Sequence, residues 1–228
     1  MKKILAICFD LDDTLWDMRP VIPRAEKLLY DWFAANYPRV TAAYTPADIR
    51  ALRVAAGEQW PELRHDLTEL RTRLLRQIAA ATGYDETMVT GAYEVFIAAR
   101  NDVEVYADVE PALSRLAGTH RLFALSNGNA DLHKIGLAGY FEGIYSAREL
   151  GVAKPDEQFF VAAAERCDFG LDEMLHVGDH PENDILAAQR VGMPAVWLNR
   201  SATRWPLAGR QPDYEVADLI GLERLMQS

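Results

Sequence analysis

The stretch ILAICFDLDDT, residues 4–14, decides how the rest of the chain is interpreted. Its first six residues form a continuous apolar run, which is typical of a parallel strand buried on both faces of a sheet. The run stops at Asp10, and Asp12 follows two residues later. Ligands of open parallel sheets bind beyond the carboxyl ends of the strands. The two carboxylates are therefore the first candidates for a functional site.

The remainder of the chain shows two different patterns. Residues 18–102 carry helical patterns only, predicted over 23–33, from Pro46 with Thr45 as N-cap, over 62–81 and over 85–99. Strands and helices then alternate, with strands predicted at 121–125, 143–146, 174–177 and 195–198, and helices at 111–116, 131–137, 155–167, 181–191 and 218–226. Such alternation predicts a parallel sheet with helices on both faces.

These patterns predict an α/β protein with a Rossmann-like parallel core. The core is expected to comprise residues 1–17 and 103–228, and an inserted all-helical cap is expected at residues 18–102. A chain of 228 residues, half of them hydrophobic, is long enough to bury such a core.

Composition limits the expected partners and compartment. The net charge of -10 repels nucleic acid and anionic membranes, so neither is expected as a partner. No apolar stretch has the length of a membrane span, and the basic start is not followed by a signal-peptide pattern. A cytoplasmic location is therefore predicted, and the protein is expected to be a monomer or a dimer.

Other predicted strands also end in polar residues. Ser126 and Asn127 follow the second strand, Asp179 follows the fourth, and Lys154 lies in the loop after the third. Carboxylates that crowd together suit Mg²⁺, and a lysine suits a phosphate group. Backbone N–H groups of the turn at Asn127 can add phosphate contacts. Together these groups are typical of phosphoryl transfer.

Two carboxyl groups two residues apart can divide the chemistry. A carboxylate such as Asp10 can act as the nucleophile and form an aspartyl-phosphate. Asp12 can then protonate the leaving oxygen and later accept a proton from the attacking water.

Four short motifs resemble those of the haloacid dehalogenase superfamily, in the order typical of that family. They are DLDDT at residues 10–14, Ser126, Lys154-Pro155, and GDHPEND at residues 178–184. The helical block between the first two motifs is similar to the family's first type of cap. The resemblance covers essentially the whole chain, and it implies a Mg²⁺-dependent phosphatase.

The resemblance also implies a role for each site residue. Asp10 would be nucleophile and metal ligand, and Asp12 would be general acid and base with its backbone carbonyl on the metal. Asp179 would complete the metal site. Ser126 and Lys154 would hold the phosphate. The resemblance further implies that Asp184 orients Lys154 or a metal-bound water.

The substrate is expected to be a small phosphorylated metabolite. Residues 9–17 (FDLDDTLWD), 126–130 (SNGNA) and 176–179 (HVGD) resemble the bacterial branch that dephosphorylates flavin mononucleotide and 5-amino-6-(5-phosphoribitylamino)uracil, in riboflavin biosynthesis. The family's dehalogenases lack the second aspartate of the first motif, so Asp12 favours phosphate esters. A phosphomutase, or a phosphate-ester binding protein without turnover, is an alternative.

Plainer interpretations exist for single residues. Lys154-Pro155 could be the entry to a helix with proline at its first position, and Asp184 could serve only the helix dipole. His180 is expected to cap a helix or pack, since a hard oxygen site does not need imidazole. His65 and Arg71, predicted on the long cap helix, could read the organic part of a substrate or belong to a solvated face.

Overall fold

The computed structural model describes residues 3–227 of the chain. Contacts divide the chain into two compact units. The sheet unit comprises Met1–Asp17 and Glu104–Ser228, and the helical unit comprises Met18–Val103. Across residues 3–227, none of the helices has both the length and the apolarity that crossing a bilayer requires.

A single six-stranded sheet forms the centre of the sheet unit. Its strands are β1 (Ala6–Phe9), β2 (Arg121–Ser126), β3 (Gly143–Ser146), β4 (Met174–Gly178), β5 (Ala195–Leu198) and β6 (Tyr214–Val216). Their order is β3-β2-β1-β4-β5-β6, and all neighbouring strands are parallel. All four residues of β1 are fully buried, which explains its continuous apolar sequence. The predicted Rossmann-like class is confirmed.

Strand β6 is absent from the sequence prediction. It has only three residues, Tyr214–Val216, which are half-buried or exposed, and it pairs with β5 alone at the edge of the sheet. Such a segment has no apolar run to indicate a strand, because an edge strand needs little burial. Only pairing with β5 makes this segment a strand.

The helical unit contains five α-helices. They are α1 (Val21–Asn36), α2 (Pro38–Ala43), α3 (Pro46–Gln59), α4 (Leu67–Thr82) and α5 (Glu86–Asn101). Thr45 caps α3 as predicted, since its side chain accepts a hydrogen bond from the backbone N–H of Asp48 and Asp48 binds back to Thr45. The buried faces of α1, α4 and α5 form one apolar cluster around Phe33, Ile78 and Phe96.

The long helix predicted over residues 62–81 is wrong at its start. Pro61–Leu63 forms a separate 3₁₀ turn, and α4 begins only at Leu67, where the Asp66 side chain accepts a hydrogen bond from the backbone N–H of Glu69. An aspartate N-cap sets the start of a helix more strongly than a leucine repeat does. His65 therefore lies in the turn before α4 and not on the helix.

The sheet unit adds six α-helices around the sheet. They are α6 (Val109–Leu116), α7 (Leu132–Ile135), α8 (Ala147–Leu150), α9 (Glu157–Cys167), α10 (Ala187–Arg190) and α11 (Leu219–Gln227). The predicted helix at 181–191 starts as a π-helical segment, Pro181–Leu186, before it continues as α10. Pro155 does not open α9, because Asp156 is its N-cap. The interpretation of Lys154-Pro155 as a helix entry is therefore wrong.

Alanine substitutions at two glycines within helices of the helical unit should have opposite effects on stability. A Cβ at Gly91 would lie 2.8 Å from the Trp32 ring, whereas a Cβ at Gly57 would meet nothing within 4 Å. Alanine stabilises a helix interior over glycine by about 0.5–1 kcal/mol, but overpacking costs about 1–3 kcal/mol. We expect Gly91→Ala to lower the free energy of unfolding and Gly57→Ala, its control, to raise it, as measured by urea denaturation. A Gly91→Ala protein as stable as Gly57→Ala would contradict the packing argument.

Candidate active site

Three strands bring polar residues to one edge of the sheet. Phe9 of β1 pairs with Ala124 of β2 and with Val177 of β4. Asp10 directly follows β1, and its backbone N–H donates to the carbonyl of Val177 at 2.9 Å. The residues that follow these strands therefore meet at the carboxyl end of the sheet, as the sequence pattern predicts.

Lys154 occupies the centre of this group. Its ammonium donates to Asp10 Oδ1 at 2.6 Å, to Asp184 Oδ1 at 2.6 Å and to the carbonyl of Leu125 at 3.1 Å. The side chain is buried. Burial alone would lower the pKa of Lys154, but the carboxylates of Asp10 and Asp184 raise it above its usual value. Lys154 is therefore a fixed positive charge in contact with Asp10.

Asp184 connects Lys154 to the sheet. Besides Lys154, its carboxylate contacts His176 Nε2 at 3.0 Å and accepts from the backbone N–H of His180 at 3.0 Å. Burial opposes its ionisation, yet Lys154 and His176 hold its pKa well below the ordinary value. With these partners, the Asp184 carboxylate holds the Lys154 ammonium in position. Asp184 therefore does more than interact with the helix dipole. Gly178 makes room for it, since a Cβ there would collide with the Asp184 side chain.

The site contains more negative charge than Lys154 can balance. Burial raises the pKa of Asp10 well above its usual value despite Lys154, and Asp184 and Asp179 raise it further. Burial, with Asp184 and Asp13 nearby, raises the pKa of Asp179 to about 7. Like charges that must share a buried site disfavour ionisation in this way.

A divalent cation fits this donor set. Asp10, Asp179 and Asp184 each offer a carboxylate oxygen, and these oxygens lie within 4.8 Å of one another. Hard oxygen donors suit Mg²⁺. A cation among them would also remove the repulsion that raises the pKa values of Asp10 and Asp179. The acidic cluster could therefore hold Mg²⁺.

Asp12 is positioned separately from the lysine network. It is half-buried, and its Oδ1 accepts a hydrogen bond from the Trp16 indole N–H at 2.9 Å. Asp13, the next residue, has a positive φ of 62° and is exposed, a conformation that aspartate tolerates better than most residues. This turn brings the chain back so that Thr14 Oγ1 lies 3.3 Å from both Asp10 Oδ2 and Asp179 Oδ1.

Ser126 and Asn127 lie at the end of β2. The buried Ser126 hydroxyl accepts from the backbone N–H of Gly128 at 2.9 Å. Asn127 uses its side chain to bind the backbone of Lys154 twice, since its Nδ2 donates to the carbonyl at 2.8 Å and its Oδ1 accepts from the N–H at 2.9 Å. Asn127 thus fixes the loop that carries Lys154. Phosphate binding by Ser126 and by the backbone of Asn127 stays a prediction.

Several supporting residues were not found from the sequence. The Trp197 indole N–H donates to the carbonyl of Asp179 at 2.8 Å, and Arg200 Nε donates to the carbonyl of Thr14 at 2.9 Å. Arg200 is itself held by Asp108 through two hydrogen bonds of 3.1 Å. Both side chains come from the end of β5 and the loop beyond, which carry no motif. Only their position at the carboxyl end of a strand or in the loop after it could have indicated them.

The remaining sequence candidates take other positions. His180 caps the segment after β4, where its Nδ1 accepts from the backbone N–H of Asn183 at 3.1 Å, and its predicted capping role is confirmed. His65 and Arg71 belong to the helical unit. Arg71 is half-buried, with its guanidinium 3.3 Å from the centre of the Phe96 ring. Arg71 therefore does not lie on a fully solvated helix face, and recognition of a substrate by His65 or Arg71 stays a prediction.

Comparisons with known proteins agree with this arrangement. Residues 4–192 match the family model described as haloacid dehalogenase-like hydrolase. The chain is 36% identical over 202 residues to 5-amino-6-(5-phospho-D-ribitylamino)uracil phosphatase YigB of Escherichia coli, covering 87% of this chain and 84% of that protein. It is 28% identical to phosphoserine phosphatase of Thermus thermophilus, covering 91% and 79% of the two chains.

A solved structure is similar over almost the full length. The crystal structure titled 2-haloacid dehalogenase from Pseudomonas syringae superposes with a TM-score of 0.92, at 36% identity, covering 98% of each chain. The relatives named in the comparisons therefore include both phosphatases and a dehalogenase.

The raised pKa of Asp179 predicts a pH dependence with a definite sign. Its folded pKa of about 7 exceeds the value of about 3.9 for an unfolded aspartate. Without a divalent cation, the folded state therefore binds more protons between these values, and stability is lost as the pH rises through this window. Asp179→Asn should remove that loss, so the variant should unfold at higher urea than wild type at pH 8 in EDTA.

Addition of Mg²⁺ is the matched condition for this experiment. With saturating Mg²⁺ at pH 8 the order should reverse, because the cation stabilises only the protein that retains the Asp179 carboxylate. Wild type and variant with equal urea midpoints under both conditions would contradict the placement of Asp179 in an electrostatically crowded cation site.

Proposed function

Because the chain belongs to the haloacid dehalogenase-like hydrolase family, we propose that it hydrolyses small phosphate monoesters through an aspartyl-phosphate on Asp10. The observation that carries this proposal is the contact of Asp10 with Lys154 at 2.6 Å beside two further carboxylates. A buried carboxylate with an adjacent cation is suited to approach an anionic phosphate, which would otherwise repel it.

The first half of the reaction forms a bond from Asp10 to phosphorus. An oxygen of the Asp10 carboxylate attacks the phosphorus atom while the ester P–O bond breaks. Lys154 and the Ser126 hydroxyl hold the phosphate oxygens, and Asp12 gives its proton to the leaving oxygen. The Trp16 indole supports this role, because it binds one oxygen of Asp12 and so orients the carboxyl group. Asn127 keeps Lys154 in place through two backbone contacts.

The second half returns Asp10 to its starting state. Asp12, now a carboxylate, accepts a proton from a water that attacks phosphorus while the bond between phosphorus and the Asp10 oxygen breaks, and inorganic phosphate leaves. Asp10 and Asp179 would hold Mg²⁺ together with the backbone carbonyl of Asp12, and Asp184 lies beside them. When bound, Mg²⁺ supplies positive charge that offsets the carboxylates and the phosphate. Asp184 keeps its contacts with Lys154 and His176 throughout.

The identity of the leaving group separates a phosphatase from a dehalogenase. The Pseudomonas syringae neighbour is titled a 2-haloacid dehalogenase, so halide displacement is the second candidate. A halide leaves without a proton, whereas an alkoxide needs one. Only the cleavage of a phosphate ester therefore requires a general acid such as Asp12. The presence of Asp12 favours the phosphatase. No chloride release from 2-chloropropionate is expected.

The substrates proposed are 5-amino-6-(5-phospho-D-ribitylamino)uracil, an intermediate of riboflavin biosynthesis, and flavin mononucleotide. The Escherichia coli relative is named for 5-amino-6-(5-phospho-D-ribitylamino)uracil, and the first, second and fourth motifs resemble a branch that also accepts flavin mononucleotide. Both compounds are small cytoplasmic phosphate monoesters. We further propose that the enzyme acts in the cytoplasm, as a monomer or a dimer. It is proposed to bind neither nucleic acid nor a membrane.

Replacement of the nucleophile tests the proposed reaction. We expect wild type with Mg²⁺ to release phosphate from 5-amino-6-(5-phospho-D-ribitylamino)uracil and flavin mononucleotide. Asp10→Asn should lower kcat/KM by about a thousandfold or more, because an amide is not a nucleophile for phosphorus. Asp13→Asn is the matched control, because it removes an exposed carboxylate in the same turn and should keep activity within a few-fold. Equal rates for Asp10→Asn and wild type would exclude the mechanism.

Replacement of the acid should give an effect that depends on the leaving group. p-Nitrophenolate leaves without a proton, so Asp12→Asn should still transfer the phosphoryl group from p-nitrophenyl phosphate to Asp10. Hydrolysis of the aspartyl-phosphate should then be slow, which predicts a burst of one equivalent of p-nitrophenolate in rapid mixing. With flavin mononucleotide the loss should be about 10²–10⁴-fold in the first step. Equal losses with both substrates and no burst would argue against Asp12 as the acid.

A further inference from the structure

The helical unit contains a cavity that the proposed reaction does not use. It has a volume of about 270 Å³ and is lined by residues of α1, α3 and α4, all within Met18–Val103. A cavity of roughly 150 Å³ is already large enough to bind benzene. The space in the helical unit therefore suits an organic molecule rather than one or two waters.

One wall of this cavity is apolar. Leu74, Leu75 and Ile78 of α4 contribute to it with Leu29 of α1, and these four side chains are buried. An apolar body that replaces water there gains the hydrophobic free energy of burial.

Arginines form the polar part of the same lining. Arg50, Arg53 and Arg71 all line the cavity, together with the carboxylate of Glu26. Arg50 and Arg53 share Glu26, since its oxygens lie 2.8 Å from Arg53 Nε and 3.5 Å from Arg50 Nε. The other charged pair of the lining, Lys27 and Asp31, is neutral as a pair at 2.6 Å. The cavity therefore has excess positive charge.

Arg71 contributes one of these uncompensated positive charges. Within residues 3–227, no carboxylate lies within 4 Å of its guanidinium, which instead stacks on the Phe96 ring. Burial and the neighbouring Arg53 lower its pKa to about 10, so it stays charged at neutral pH. A cation taken out of water without an anionic partner is costly. Stacking leaves the N–H edges of a guanidinium available for an anion.

We propose that this cavity is a binding site for a small organic anion. The apolar body of the ligand packs against Leu74, Leu75 and Ile78, and its anionic group binds the guanidinium of Arg71 with Arg53 beside it. The site is formed by the helical unit alone, and the inference does not depend on hydrolysis at Asp10.

Calorimetric titration of the full-length protein with 4-phenylbutyrate tests the proposal, with Mg²⁺ present. The uncharged 4-phenylbutyramide has the same body and is the matched ligand. We expect the acid to bind at millimolar concentration or below and the amide to bind at least about tenfold more weakly, because charge-assisted hydrogen bonds are the stronger ones.

Four variants locate the binding. Arg71→Gln should weaken the acid about tenfold and leave the amide unchanged, while Arg71→Lys should retain part of the affinity. Arg76→Gln is the matched control, because Arg76 lies on α4 outside the cavity and pairs with Glu69 and Glu86; it should bind as wild type does. Glu26→Gln removes the competing carboxylate and should strengthen binding of the acid.

The outcomes separate clearly. No binding of the acid at millimolar concentration, equal affinity for acid and amide, or an affinity unaffected by both Arg71→Gln and Glu26→Gln would overturn the proposal. The Glu26 variant keeps the test valid if Arg71→Gln fails to fold. Phosphatase assays of the same proteins distinguish this site from the one at Asp10, since loss of turnover on Asp10→Asn leaves the titration unchanged.

Discussion

The contact of one ammonium group with two carboxylates and a carbonyl organises the sheet unit's functional edge. Lys154 donates all three of its N–H groups, to Asp10, Asp184 and Leu125. These acceptors follow or belong to three different parts of the fold, and Lys154 itself comes from a fourth. A buried lysine without such partners would lose its proton or destabilise the fold. The same interaction that makes the buried charge tolerable therefore fixes the position of Asp10.

The surplus of negative charge around Lys154 connects structure to reactivity. Burial raises the pKa values of Asp10 and Asp179, and the neighbouring carboxylates raise them further because one lysine cannot balance the negative charge. Pairs of titratable groups whose environments move their pKa values apart are typical of functional sites. Asp184, by contrast, has a lowered pKa, held down by Lys154 and His176. Asp184 thus pairs with the lysine, while Asp10 and Asp179 retain carboxylates that the proposed reaction assigns to phosphorus and to a cation.

In the helical unit, the charge that lacks a partner is positive and not negative. Arg71 is partly withdrawn from water on the face of Phe96, and the neighbouring Glu26 already pairs with Arg50 and Arg53. In both units charge is placed where the protein's own groups do not neutralise it. The charge left over is negative in the sheet unit and positive in the helical unit. The sign of each surplus defines the ligand that would complete it: a metal cation in one and an organic anion in the other.

The sequence by itself determined the class of the fold, and it predicted that Asp10, Lys154 and Asp179 meet at one edge of the sheet. An apolar run that stops at a polar residue marks a buried strand and its end from neighbouring residues alone. Because the strands are parallel, their carboxyl ends lie at the same edge of the sheet. Tertiary structure alone decided the start of α4, strand β6 and the supporting contacts of Trp197, Arg200 and His176. It also decided that Arg71 is half-buried against the Phe96 ring. These features depend on partners distant along the chain, which no local periodicity or motif encodes.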